Sequence, residues 1–185
     1  MLRFAAVAAL AVSCTLVSSR APVAADDTML KVKEGDAFPN VALAAAQIDK
    51  VKKDAKTVSI ADFKGKVVVV FFYPAALTKG CTKESCGFTD ISKSFPEGVV
   101  VLGASADPVA KQQEFIDKEK LSMPLLADTD LKLIKELGIL NPKGGKTPQR
   151  VTFVVDKDGK IAKIYDKVDA NKHPKDVLEF VKTLK

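Results

Sequence analysis

The sequence predicts a single α/β domain in which a mixed central sheet is flanked by helices. Two nearly unbroken apolar runs, Lys66–Tyr73 (KVVVVFFY) and Val99–Ala104, are each followed by helix-start signals. Runs of β-branched and aromatic residues of this length read as strands buried on both faces, and helical crossovers between them make such strands parallel. A third observation is a hairpin: Val151–Val155 and Lys160–Tyr165 flank the turn Asp156-Lys157-Asp158-Gly159. Parallel strands feeding an antiparallel hairpin give a mixed sheet.

Each further element follows from local signals. Thr82–Ser94 predicts a helix with Phe88, Ile91 and Phe95 on one side. Asp107 followed by Pro108 is an N-cap and first-turn pair opening a helix that runs to Glu119. Asp128–Leu137 predicts another, with Leu131, Ile134 and Leu137 at spacing three and Gly138 as its stop. Pro174 opens the last helix, whose apolar stripe is Val177, Leu178, Val181 and Leu184. Thr57–Ile60 is expected to be a short strand, and Ala44–Lys56 a short helix or exposed loop. Asp156 and Asp158 read as turn residues rather than metal ligands, and His173 as a capping or surface residue.

The 185 residues are 47% hydrophobic and 28% charged, enough for one domain with a full core and ordinary for a soluble globular protein. No apolar run after the N-terminus is long enough to cross a bilayer. The N-terminus itself predicts a secretory signal: Arg3 gives a positive start, Phe4–Val17 is apolar, and Val23-Ala24-Ala25 offers a cleavage site before Asp26. Residues 1–25 are thus expected to be a signal peptide and 26–185 the folded domain, with the protein exported to a periplasmic or extracellular space. Ala11-Val12-Ser13-Cys14 resembles a lipobox and leaves a lipid anchor at Cys14 as the alternative. Removing residues 1–25 removes Arg3 and Arg20 and no acid, so the remaining net charge is 27 − 23 = +4. Its lysines are scattered among acids, which is a solvated surface rather than a nucleic-acid or membrane patch.

Chemistry concentrates in PAALTKGCTKESC, Pro74 to Cys86, directly after the first buried strand. Active sites in open α/β sheets lie beyond the carboxyl ends of strands. Cys81 falls there and starts a helix, where free amide N–H groups and the helix dipole favour an anion. A thiol so placed is expected to lose its proton more readily, and the thiolate is the reactive form. Cys86 lies five residues on; a structural disulfide closing so short a loop would constrain the unfolded chain only weakly, which favours a redox-active pair. Arginine occurs only at positions 3, 20 and 150, so Arg150 is the one arginine of the exported chain. It opens the strand expected beside the one leading to Cys81, where a planar, permanently charged fork can face a thiolate.

The spacing Pro74, Thr78, Cys81 matches the P-x-x-x-T-x-x-C pattern of peroxiredoxins, and Glu84 also fits. GCTKESCGF, with its second cysteine at plus five, resembles the peroxiredoxin Q subfamily, also called bacterioferritin comigratory protein. The likeness continues through VVVLGASADP, FIDKEKLSMPLLAD and RVTFVVDKDGKI to the final helix, covering Val58–Lys185. Three departures stand out: Lys79 where the subfamily usually has Pro, Ala75-Ala76-Leu77 in place of a more polar run, and a longer Ala44–Lys56 segment.

The resemblance implies a thioredoxin-like fold and a thiol peroxidase needing no cofactor or metal. Cys81 would attack a peroxide oxygen and become a sulfenic acid, which Cys86 would condense with to form a disulfide. Thr78 would hydrogen-bond peroxide and thiolate, Arg150 would stabilise developing charge, Glu84 would orient Arg150, and Pro74 would shield the sulfur. Hydrogen peroxide and organic hydroperoxides are the implied substrates and a thioredoxin-like dithiol protein the reductant, with the enzyme a monomer or weak dimer. Five residues along a helix rise about 7.5 Å, beyond the roughly 7 Å that a disulfide spans between Cα atoms. Bond formation is therefore expected to unwind Thr82–Gly87. The competing readings are an exported thioredoxin-like disulfide oxidoreductase, which usually carries Cys-x-x-Cys, and a Sco-like copper-binding protein, which needs two Cys and a His.

Overall fold

The computed structural model describes residues 29–184; the expected signal peptide and Cys14 lie outside them. In chain order the elements are β1 (Ala44–Ala46), β2 (Val68–Phe72), α1 (Lys79–Asp90), β3 (Val100–Ser105), α2 (Val109–Glu119), β4 (Leu125–Ala127), α3 (Lys132–Leu137), β5 (Val151–Val155), β6 (Ile161–Tyr165) and α4 (His173–Val181). The six strands form one sheet in the order β1-β4-β3-β2-β5-β6. β2, β3 and β4 run parallel, while β1, β5 and β6 pair antiparallel with their neighbours. The predicted mixed sheet is what forms.

β2 is the centre, and all five of its residues are buried. Alternation along a strand sends successive side chains to opposite faces. Val68, Val70 and Phe72 accordingly join one core with Phe153, Leu102 and the α3 residues Leu133, Ile134 and Leu137. Val69, Phe71 and Tyr73 join the other, with Phe88 of α1, Phe115 of α2 and Val177 of α4. Gly103 on β3 lets that second core close: a Cβ there would stand 2.5 Å from Leu125 and 2.9 Å from the Phe71 ring.

Several local expectations need correction. Ala44–Lys56 is neither a helix nor a plain loop; it opens with β1, paired to β4, and continues as a 3₁₀ turn at Ile48–Lys50. Neither three-residue strand is long enough to show periodicity, so the sequence carries no local signal for β1 or β4. Thr57–Ile60 makes only a single bridge, Val58 to Leu43, before a 3₁₀ turn at Ile60–Phe63. A capping box between Ser59 and Asp62 closes that turn. The first helix begins at Lys79 rather than Thr82 and gives way to a 3₁₀ turn at Ser92–Ser94.

Asp107 is not the N-cap of α2. Pro108 takes that position, and the Asp107 carboxylate instead accepts the Ala76 N–H beyond the end of β2. Asp128 does cap α3, though from further upstream, accepting the N–H groups of Lys132 and Ile134 at 2.8 Å each. Gly138 ends α3 at φ 71° as expected. Asp156 shapes the hairpin turn by accepting the N–H groups of Asp158 and Lys160, each at 2.9 Å.

Candidate active site

The carboxyl end of β2 and the amino end of β5 lie side by side, because Phe72 pairs with Val151 in the antiparallel register. Residues just beyond these ends, Pro74–Cys81 and Arg150, are therefore neighbours although about seventy positions apart in sequence. The chain between β2 and α1 is pinned in two places. The Ala76 N–H donates to Asp107 Oδ2 at 2.7 Å, and the Thr78 hydroxyl donates to the Ala75 carbonyl at 3.0 Å. Between them Leu77 takes a left-handed conformation, φ 64°, unusual for a residue with a side chain.

Thr78 is the N-cap of α1, and the first intrahelical bond runs from the Thr82 N–H to the Thr78 carbonyl at 2.8 Å. The amides of Lys79, Gly80 and Cys81 thus have no acceptor within the helix and carry its positive end. Cys81 sits in this first turn, buried to 1% exposure. Arg150 Nη2 donates to its sulfur at 3.2 Å, and Nη1 of the same guanidinium pairs with Glu84 Oε2. Glu84, one helical turn after Cys81, is fully buried.

Burial pushes the Glu84 carboxyl up to about 7, against the pull of the Arg150 charge. For Arg150, burial works against its charge, but Glu84 and Cys81 outweigh it and hold the guanidinium protonated. The guanidinium fork thus spans the two, one arm on the sulfur and the other on the Glu84 carboxyl.

Cys81 and Cys86 are both free thiols on α1. A separation of five residues turns the helix by about 500°, so their side chains leave the axis roughly 140° apart. Cys86 is half-buried and packs against the second core. Burial pushes its thiol pKa up, and the charges of Glu119 and Asp90 add to that.

The structure brings Cys81, Glu84 and Arg150 into direct contact. Pro74 immediately follows the buried Tyr73 at the end of β2, and the Thr78 hydroxyl is turned to Ala75. His173 is not a surface or capping residue. It is 3% exposed, its Nε2 lies 2.8 Å from Thr152 Oγ1, and its ring meets Phe88 and Tyr165 edge-on. Burial pushes its imidazole down to about 4, with Asp176 pulling it up and Arg150 pushing it further down. Among the described residues no group of three or more His, Cys, Asp or Glu side chains is placed to hold a metal.

Sequence reasoning missed a polar chain behind the site. Tyr73 hydrogen-bonds Gln112, whose Nε2 donates to Ser105 Oγ at 2.9 Å, and Ser105 donates to Asp107 Oδ2 at 3.0 Å. Lys111 closes the chain on Asp107 Oδ1 at 2.7 Å. A glutamine at an apolar-periodic position of α2 was the available signal, since a fully buried glutamine needs partners.

An α/β sheet with a buried cysteine at a helix start, held by an arginine, defines a thiol-based oxidoreductase. The sequence profile of the AhpC/TSA family matches residues 35–164, and the chain belongs to that family. It is 39% identical over 156 residues to the chloroplastic peroxiredoxin Q of Oryza sativa subsp. japonica, covering 83% of this chain and 69% of the relative. The chloroplastic peroxiredoxin Q of Sedum lineare is 35% identical over 170 residues, 91% of this chain and 88% of its own length. Among solved structures, the crystal structure of the peroxidoxin BcpB from Mycobacterium tuberculosis superimposes with a TM-score of 0.71 at 30% identity, covering 83% of this chain and 98% of that one. The fold is thioredoxin-like, and the protein is a peroxidase of the peroxiredoxin kind, in the group of peroxiredoxin Q and bacterioferritin comigratory proteins.

Proposed function

We propose that Cys81 is the sulfur that meets peroxide and Cys86 the one that resolves it. The carrying observation is the Arg150 Nη2 to Cys81 Sγ contact of 3.2 Å at the amino end of α1. The Cys81 thiolate attacks one peroxide oxygen and the O–O bond breaks. The sulfur is oxidised to a sulfenic acid, and the departing oxygen takes a proton to leave as water or alcohol. Arg150 faces both the sulfur and the charge that develops as that bond breaks, with Glu84 keeping its fork in register. Thr78 supplies a hydroxyl to the peroxide once it rotates away from Ala75, and Pro74 shields the sulfur from water. Cys86 then attacks the Cys81 sulfur as a thiolate, the S–S bond forms, and the sulfenic oxygen leaves as water.

Their separation along α1 means that Thr82–Gly87 unwinds for this second step. Reduced and oxidised structures that superimpose over those residues would refute the unwinding. A thioredoxin-like dithiol protein returns the disulfide to two thiols. We take hydrogen peroxide and organic hydroperoxides as substrates, an exported location after removal of residues 1–25, with lipidation at Cys14 the alternative route, and a monomer or weak dimer.

The test is peroxide consumption coupled to a thioredoxin system. Cys81→Ser is expected to abolish it. Cys86→Ser is expected to complete one sulfenic acid turnover and then stall without forming a disulfide. Full turnover by the Cys81→Ser variant would overturn the assignment. The mass of the protein recovered outside the cytoplasm decides between cleavage after Ala25 and lipidation at Cys14.

A further inference from the structure

We propose that His173 and Pro174, at the start of α4, form a latch that holds α1 wound and thereby sets how fast Cys86 reaches Cys81. The proposal rests on the resolving role of Cys86 given above. Its basis is what lies immediately after Cys86. The ring of Pro174 occupies the place where a side chain at Gly87 would go: a Cβ there would be 2.9 Å from Pro174 Cγ. α1 and α4 therefore touch backbone to ring at residue 87, an approach that only glycine permits.

One residue on, Phe88 is fully buried between two rings. It stacks on Phe71 of β2 with centroids 4.6 Å apart, and the His173 ring meets it edge-on at 5.8 Å and 87°. His173 is itself fixed by Thr152 on β5 at 2.8 Å and by the Tyr165 ring of β6 at 5.1 Å. Gly87 and Phe88 are thus tied through α4 to two strands of the sheet, while Cys86 is only half-buried. Thr82–Gly87 cannot unwind without pulling on that anchor.

The latch favours the wound state, in which Cys81 lies against Arg150. Weakening it shifts the balance toward the unwound state that the disulfide needs. One net hydrogen bond is worth a factor of about five in such an equilibrium. A neutral His173 serves the latch because its ring must sit buried against two aromatic faces, with Asp176 and Arg150 the charged groups acting on it.

The experiment mixes reduced protein with one equivalent of hydrogen peroxide and quenches at intervals. Sulfenic acid is trapped with a dione reagent and disulfide is measured as the loss of two hydrogens by mass. His173→Leu, which loses the Thr152 hydrogen bond, is expected to form the Cys81–Cys86 disulfide about fivefold faster, and Pro174→Ala, which removes buried ring carbon from Gly87, about fourfold faster, both at an unchanged rate of sulfenic acid formation. His173→Gln keeps a hydrogen-bonding group for Thr152 but loses the ring against Phe88, and is expected to fall between the parent and His173→Leu. Amide hydrogen exchange of the reduced proteins should quicken over residues 82–88 without quickening in β2, which a general loss of stability would not produce. An unchanged disulfide rate in both His173→Leu and Pro174→Ala overturns the latch; Pro174→Ala alone decides if the leucine variant does not fold. A parent protein that makes sulfenic acid but no Cys81–Cys86 disulfide overturns the resolving role itself, and the latch with it.

Discussion

Replacing His173 with glutamine is expected to change how folding stability depends on pH. The imidazole is buried, and its pKa is pushed down to about 4 from an ordinary value near 6.5. The unfolded chain therefore binds a proton at mildly acid pH that the folded chain refuses, so stability is present above pH 6.5 and is lost as pH falls toward 4. Two and a half units at about 1.36 kcal/mol per unit set a ceiling of about 3 kcal/mol. The loss is about 2 kcal/mol at pH 5 and close to zero at pH 7.5.

Glu84 acts with the opposite sign. Its folded pKa of about 7 lies above the ordinary carboxylate value, so the folded state gains relative to the unfolded one as pH falls from 7 toward 4.5. The two effects offset each other in the parent protein. They separate when the parent and His173→Gln are compared at each pH, because Glu84 is common to both. Urea unfolding at pH 7.5, 6, 5 and 4.5, followed by circular dichroism, measures the difference. The variant is expected to gain about 2 kcal/mol relative to the parent between pH 7.5 and 5, whatever its standing at neutral pH. A difference constant across that range would mean that His173 is not buried as a neutral ring.

Two further outcomes follow from the site. Glu84→Gln removes the group that ionises near pH 7 beside Arg150. The rate of the peroxide step is expected to rise about fivefold through pH 7 in the parent, as Glu84 charges and locks the guanidinium. The glutamine variant should lack that fivefold step; a step of the same size and midpoint in Glu84→Gln would refute this. Asp107→Ala leaves the Ala76 N–H without its acceptor and loosens the loop before α1. Sulfenic acid formation is expected to slow about tenfold with the disulfide step unchanged, and Asp107→Asn, which keeps an acceptor, should lose less. Equal slowing of both steps would make Asp107 a general stability residue.

Most of the frame was legible because its signals are local. The run Val67–Tyr73 is apolar on both faces and buried along its whole length, so its place at the sheet centre follows from its own composition. The turn at Asp156–Gly159 specifies its hairpin in the same way, and Gly138 its helix end. Cys81 and Cys86 could be named from their place after the buried strand and Arg150 from its isolation among lysines, whereas Pro74, Thr78 and Glu84 came only with the resemblance to peroxiredoxins.

What the sequence could not determine depends on partners distant along the chain. β1 and β4 are three residues each and become strands only because they meet each other and β3. Asp107 beside Pro108 carries every local mark of a helix cap, yet its carboxylate satisfies an amide thirty-one residues away because β2 and β3 end together. His173 is apolar in role and polar in type, and only the packing of α4 over α1 and β5 decides that it is buried. Local chemistry thus specifies which residues can react. Which of them touch, and what charge each carries, is decided by the sheet that brings strand ends together and by the burial that follows.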